Sequence, residues 1–504
     1  MINTRYNELI SFEEYEKIVK SYSKPVYIPL SCTIKPVDAD PASVYATLSP
    51  DQGFLLESME GVPRRAVRSV IGIHPMAVIA LSEITDITGE EAELFKLLIN
   101  NGKDSGLPLE ILERVISGIS SYCPTGLSYA GGFTGYCRYD LITEITGGMV
   151  RAHAESGPVI RFMIPGEIIV FDHVRDTLTI IAGRVIGPED DIKAKYLDAV
   201  KEIENIRSEI SCIKPESVTC VEKESYEFNK DIPADQHEYE NAVKRAQEHI
   251  RAGDIFQVVL SRKVSVPYSG DPFNIYRVLR RINPSPYLYC LNFEDEAVIG
   301  SSPEMLVKAE GEVITTVPIA GTRPRGKNQE EDERLAEALC SDPKEKAEHL
   351  MLVDLARNDI GKISEFGTVK VSSFMEVEKF SHVQHLTSVV TGELKKGYSR
   401  VDILKACFPA GTVSGAPKIR AMQIINDLES SPRGLYAGAV GYIGFDGLME
   451  FAITIRTVMV KNKMATIQAG AGIVADSVPS REFEETEAKA QAMVRAVYVA
   501  GGIT

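Results

Sequence analysis

Short apolar runs broken by turn residues fill the first two hundred positions of the chain. Pro25-Val-Tyr-Ile-Pro29, Gly53-Phe-Leu-Leu-Glu57 and Glu167-Ile-Ile-Val-Phe171 are brief and rich in β-branched and aromatic residues, which predicts strands of a mixed sheet. Between them, Glu91 to Asn100 and Pro108 to Ser120 read as helices. Gly131-Gly-Phe-Thr-Gly-Tyr136 lacks the Lys-Ser/Thr of a phosphate loop and is flanked by strand-like sequence, so it predicts a turn and bulge that use glycine's access to positive φ. From about Glu202 to Asp235 the chain becomes charged and weakly apolar, and this is the best candidate boundary between an N-terminal region, 1–230, and a second unit, 231–504. Some weaving of the two into one large sheet is expected. Beyond it Tyr239, Val243, Ala246 and Ile250 form a helical stripe that Gly253 ends, and Ile255 to Arg262 has the β-branched richness of a strand.

Composition narrows the options. At 504 residues and 44% hydrophobic content the chain can bury a large core, or two. A formal charge of -16 argues against nucleic acid as a partner and requires that any anionic ligand be met by local positive groups. The eight cysteines include no Cys-x-x-Cys pair, the start lacks a signal-like apolar region, and no apolar run approaches eighteen residues. A soluble protein of the reducing cytoplasm, with no membrane partner, is the expectation.

Chemistry concentrates in two acidic clusters about 140 residues apart, Glu345-Lys-Ala-Glu348-His349 and Glu482-Phe-Glu-Glu485-Thr-Glu-Ala-Lys489. Residues three or four apart share a helix face, so each cluster can aim a pair of carboxylates at one point, as a hard cation requires. His349 has no His or Cys companions to complete a zinc tetrahedron. Between the clusters stand Pro318-Ile-Ala-Gly-Thr-Arg-Pro-Arg325, Leu352-Val-Asp-Leu-Ala-Arg-Asn-Asp359, His385-Leu-Thr-Ser388, Phe408-Pro-Ala-Gly-Thr-Val-Ser-Gly-Ala-Pro-Lys418 and Gln468-Ala-Gly-Ala-Gly-Ile473. In this order they resemble the chorismate-utilising enzymes, most closely the large subunits of anthranilate synthases. The likeness is dense from about 235 to 500 and rests on a few motifs before that.

The resemblance implies an α+β fold of large mixed or antiparallel sheets packed as a sandwich and flanked by helices. It implies Mg²⁺ as cofactor, with Glu348 and Glu485 contacting the ion and Glu345 and Glu482 acting in part through water. Glu304, closing Ser301-Ser-Pro-Glu304, would be the general acid for the departing C4 hydroxyl of chorismate, and His385 a further acid-base group. Thr412 would be a hydroxyl donor. Gln257 stands where relatives that add water to chorismate carry a lysine base; a glutamine cannot be a base at neutral pH, which disfavours water and implies ammonia as nucleophile. Ala320 stands where p-aminobenzoate-branch enzymes carry a nucleophilic lysine, and an alanine forms no adduct. Arg456 offers a fork suited to a carboxylate, with Tyr436, the Gly470-Ala471-Gly472 backbone, Gly321, Thr322 and Lys489 as further substrate contacts. Leu56, Glu57 and Ser58 match a tryptophan-binding element of the family, together with Pro286, Tyr287 and Leu288 from Asn283-Pro-Ser-Pro-Tyr287; Leu288 replaces a common methionine at similar volume.

Conversion of chorismate and ammonia to anthranilate and pyruvate, under tryptophan feedback, is thus the implied activity. None of the eight cysteines lies in a Gly-x-Cys-x-Gly elbow, so ammonia would come from a separate glutaminase subunit; the family implies a heterotetramer of two large and two small chains. The competing readings are the p-aminobenzoate branch and a non-catalytic tryptophan-binding regulator.

Overall fold

The computed structural model describes the chain apart from residues 1–8, 36–38, 49–50, 60–66, 100–105, 125, 128, 154, 214–235, 380–382 and 503–504. The described residues form an α+β fold with thirteen α-helices and twenty-one strands, paired antiparallel except where Val26–Tyr27 meets Ser120–Ser121. Two long strands organise the sheet. Arg68–Leu81 and Ile160–Asp172 pair along almost their whole length. The other edge of the latter is shared, its start pairing with Gly132–Cys137 and its end with Thr177–Ile186.

Two layers diverge from this fork. One runs through Gln52–Glu57, Tyr287–Phe293, Glu296–Ser302, Thr457–Lys461, Met464–Ile473 and Gln257–Pro267. The other runs through Gly132–Cys137, Ala439–Gly444, Met449–Ile453 and Met305–Glu310 to Val313–Thr316 and Val383–Glu393. Strands from before residue 200 therefore pair directly with strands from beyond 280 in both layers.

Alternation along the strands explains the three-layered burial. Between the sheets lie Phe54, Tyr136, Met163, Tyr289, Phe293 and Val440. The opposite face of the first sheet, for example Val458 and Val460, packs against the helices Ile192–Cys212, Pro272–Ile282 and Pro479–Ala500. The outer face of the second sheet packs against Ala92–Ile99, Pro108–Gly118, Pro343–Gly361 and Arg400–Cys407.

The predicted strands are present and longer than their apolar runs, because flanking polar residues share the ladders, as in Val26–Ile34 and Ile160–Asp172. The helix expected to reach Ser120 stops at Gly118: Ile119 takes extended backbone (φ −109°, ψ 125°), and Ser120–Ser121 joins the sheet. The charged stretch from Glu202 remains helical to Cys212, burying Ile203, Ile206 and Ile210 at helical spacing; the rest of that candidate boundary lies outside the described residues. Gly131, φ 115°, directly precedes the strand and Gly132, φ 152°, opens it. The seven described cysteines are free thiols, and no described helix is long and apolar enough to cross a membrane.

Candidate active site and effector cavity

Both acidic clusters fall in the opening turns of long helices. Glu345 and Glu348 lie on Pro343–Gly361, whose cap Asp342 accepts from the amides of Lys344 and Glu345; Glu482 and Glu485 lie on Pro479–Ala500. Carboxylates are favoured at such ends by the helix dipole. The clusters approach one another. Burial, and then Glu345 and Glu485, push the Glu348 carboxyl above its ordinary range, while burial and Glu485 do the same for Glu482. Each helix end also has its own cation: Arg323 reaches Glu345 at 3.2 Å and Lys489 reaches Glu485 at 2.8 Å. Gln257 Nε2 donates to Glu348 across 3.4 Å. Among the described residues no three acidic, His or Cys side chains converge at metal-ligating distance. Glu348 and Glu482, hard oxygen donors whose proton affinity is raised by burial and by neighbouring carboxylates, fit a divalent cation such as magnesium. His349 faces elsewhere, its Nε2 2.7 Å from Ser388 Oγ in the core.

Glu304 sits where the first sheet hands over to the second, its carbonyl accepting from Ile453 N–H. Part of the residue is exposed, but protein atoms crowd its carboxyl. Burial pushes its pKa up to about 7, against the opposing pull of the Thr412 hydroxyl, Lys489 and Arg456. Buried Thr412 Oγ1 stands beside this carboxyl, though no partner meets it in good hydrogen-bond geometry among the described residues. Lys489 Nζ donates to Gly470 O at 3.0 Å. Gly470 is required as glycine, since a Cβ would come within 2.4 Å of the Tyr436 hydroxyl and 2.8 Å of Leu260 O. A Cβ on Gly472 would meet Gln257 Nε2 at 2.7 Å, so the strand through Ala471 presents bare backbone beside Gln257 and Tyr436.

His385 lies on Val383–Glu393 opposite Thr322. Its Nδ1 is 2.8 Å from Gly321 O and 3.1 Å from Thr322 Oγ1. A carbonyl can only accept, so Nδ1 carries the proton and Nε2 is the basic nitrogen. Burial and Arg456 hold the imidazole below its usual range. Gly321 occupies a bulge at φ 65°, where a Cβ would lie 2.9 Å from Glu345 Oε2. The strand carrying Ala320 to Thr322 thus packs directly under the acidic cluster.

Several supports carried no role in the sequence reading. Buried Arg433 donates to the carbonyls of Val413 and Val259 at 2.7 Å and pairs with Glu429, which accepts from the Ser261 amide at 2.8 Å. It therefore fixes the Thr412 segment to the strand of Gln257, with its guanidinium 5.4 Å from the Tyr436 ring. Asp359 pairs with Lys418 at 2.5 Å, locking the helix of Glu345 and Glu348 to the end of the Phe408–Lys418 segment. Both were the terminal residues of motifs, which was the only signal they gave. Nothing local distinguishes Arg433.

The six proposed effector residues Leu56, Glu57, Ser58, Pro286, Tyr287 and Leu288 line one cavity of about 330 Å³. Strand pairing explains this, since Gln52–Glu57 lies beside Tyr287–Phe293 with Glu57 opposite Leu288. Glu57 is anchored by Arg280 at 2.8 Å, Ser69 and Tyr276, while Tyr287 donates to Glu450 at 2.9 Å on the far wall. Apolar walls with carboxylates and the cations Arg68 and Lys308 at the rim suit an amphoteric aromatic ligand.

Residues 55–495 match the model of the chorismate binding enzyme family. The chain is 43% identical over 460 residues to the anthranilate synthase component 1 of Acetivibrio thermocellus, covering 89% of this chain and 91% of that one. It is 42% identical over 501 residues to that of Aquifex aeolicus, covering 97% and 98%. The crystal structure of anthranilate synthase component I from Streptococcus pneumoniae TIGR4 superposes with a TM-score of 0.70 at 40% identity, covering 85% of this chain and 92% of that one. With the Glu304 carboxyl, Arg456 and Lys489 brought together where the two sheets meet, and with this likeness over most of its length, the chain belongs to the chorismate binding enzyme family, in its anthranilate synthase component 1 branch.

Proposed function

We propose that this protein is a magnesium-dependent lyase that converts chorismate and ammonia to anthranilate and pyruvate, the committing step toward tryptophan. The observation that carries this reading is Glu304: a carboxyl that keeps its proton to about pH 7, beside the cationic groups Arg456 and Lys489. Arg456 and Lys489 attract a dianionic substrate, and Glu304 protonates the C4 hydroxyl as it leaves while ammonia bonds to C2. Gln257, unable to activate water, contributes a hydrogen bond only. His385 Nε2 then takes the C2 proton as the enolpyruvyl C–O bond breaks, pyruvate departs and the ring becomes aromatic. Glu345, Glu348, Glu482 and Glu485 would hold magnesium, which supplies charge neutralisation and orientation for the ring carboxylate. Buried Ala320 offers no nucleophile for the route to a para-amino product.

Ammonia comes from a partner glutaminase chain in a two-plus-two assembly, and the 330 Å³ cavity is a feedback site for tryptophan. The isolated chain, given chorismate, Mg²⁺ and ammonium, should release anthranilate, lose activity on chelation and regain it with Mg²⁺; glutamine should not substitute for ammonium. Identification of the product by mass and fluorescence decides the matter. Accumulation of 4-amino-4-deoxychorismate would assign the chain to the p-aminobenzoate branch, and no turnover would leave a ligand-binding regulator.

A further inference from the structure

Arg456 is held in a conformation that its own side chain disfavours, with φ 50°, in the short link between Met449–Ile453 and Thr457–Lys461. Two separate hydrogen-bonded supports keep it there, and both lead to the effector cavity. Arg456 O accepts from Ser301 N–H at 3.1 Å. Ser301 is in turn clasped by Asn283, whose Nδ2 donates to Ser301 Oγ at 3.2 Å and whose carbonyl accepts from the same hydroxyl. Asn283 opens the segment that contributes Pro286, Tyr287 and Leu288 to the cavity, and Ser285 O accepts from Met59 N–H beside Ser58.

The second support crosses a strand. Tyr289, a lining residue of the cavity, lies opposite Gly300, which lies opposite Thr457 on the next strand. A Cβ on Gly300 would fall 2.2 Å from the Tyr289 ring, so only glycine lets the ring pass over that strand. The phenol hydroxyl thereby reaches Thr457 Oγ1 at 2.5 Å. Thr457 Oγ1 spends its proton on Ile455 O at 2.9 Å and so must accept from Tyr289. The residues on either side of Arg456 are thus joined to the cavity through Tyr289, and Arg456's own carbonyl through Ser301.

We infer that Tyr289, Thr457 and Ser301 are positioning residues for Arg456, and that they transmit the occupancy of the effector cavity to the substrate's carboxylate fork. This rests on the tryptophan and chorismate assignments above. A ligand displacing Tyr289 or the 283–288 segment releases the supports of a strained residue, and the substrate meets a misaligned guanidinium. Because coupling is reciprocal, each ligand weakens the other by the same factor, typically about 5- to 150-fold.

The test is calorimetric titration of the full chain with chorismate and Mg²⁺, without ammonia, at zero and saturating tryptophan. Thr457→Val removes the hydroxyl at constant shape and Tyr289→Phe removes its donor; with the Ser301 support still in place, each should lower the coupling factor by about threefold or more while tryptophan still binds. Thr457→Ser, which keeps the hydroxyl, should retain it. With ammonium present, Thr457→Val should raise the chorismate KM more than it lowers kcat, as expected where positioning of bound substrate is what is lost. Unchanged coupling in a folded Thr457→Val or Tyr289→Phe protein overturns the inference, as does equal loss in Thr457→Ser. If tryptophan fails to bind the unmodified protein, the effector assignment itself falls; if it binds and couples there but the variants couple equally, only the relay falls.

Discussion

A carboxyl that stays protonated to about pH 7 weakens the fold it serves. The unfolded chain gives up this proton near the ordinary value of 4.5, so as pH rises above that value the unfolded state gains ionisation free energy that the folded state does not share. The stability loss grows from about pH 4.5 and is complete above about pH 7. Glu304→Gln removes it. Its melting temperature by calorimetry should therefore exceed that of the parent at pH 8 and converge with it near pH 4. Turnover should fall by about 10²- to 10⁴-fold, because the amide cannot protonate a leaving hydroxyl. In the parent, kcat/KM for chorismate, corrected for free ammonia, should decline as pH passes through about 7. A flat profile would remove Glu304 as the acid.

Between elements, the contacts that set the site are buried ion pairs rather than further apolar packing. Asp359 and Lys418, 10% and 12% exposed, clamp the helix bearing two of the acidic residues to the segment bearing Thr412. Asp359 also pairs with the half-exposed Lys362 at 3.0 Å, so Lys418→Met leaves it one weaker partner and should cost about 1–3 kcal/mol in urea unfolding. Asp359→Leu together with Lys418→Met should recover much of that stability and little of the activity, since the helix and segment would then pack without a fixed register. The elements themselves follow local rules. Ser399 caps Arg400–Cys407 with a capping box, and Asp271 caps Pro272–Ile282 ahead of a proline at its first turn. Such ends are legible without a structure; the partner that each helix meets is not.

At the scale of the whole molecule, the two proposed sites are joined through one continuous sheet among the described residues. The cavity proposed for tryptophan and Arg456 lie two strands apart on the same layer. Tryptophan at about 100 times its dissociation constant should stabilise the folded chain by about 2.7 kcal/mol, read as a rise in melting temperature. Ser58→Phe, which puts a ring into a cavity of about 330 Å³, should abolish that rise. If it does not, tryptophan binds elsewhere. The net charge of -16 makes the local cations decisive: Arg456, Lys489 and Arg323 provide positive potential where the molecule as a whole repels an anion.

The sequence alone determined what is encoded at short range. Periods of two and of three to four marked the strands and helices, spacing put Glu345 with Glu348 and Glu482 with Glu485 on common faces, and motif order brought out the family. Even Glu57 and Leu288, 231 positions apart in number, were grouped through motif likeness, although only strand pairing explains why they meet. The tertiary structure alone decided the chemistry of those side chains. The acid role of Glu304 rested in the sequence on motif likeness alone; the burial of its carboxyl arises where one sheet hands over to the other, and proton affinity depends on such enclosure and on charges from distant segments. Arg433 and the Tyr289–Gly300–Thr457 crossing left no local mark, because their partners are chosen by which strands lie side by side, and pairing between remote segments is a property of the folded sheet.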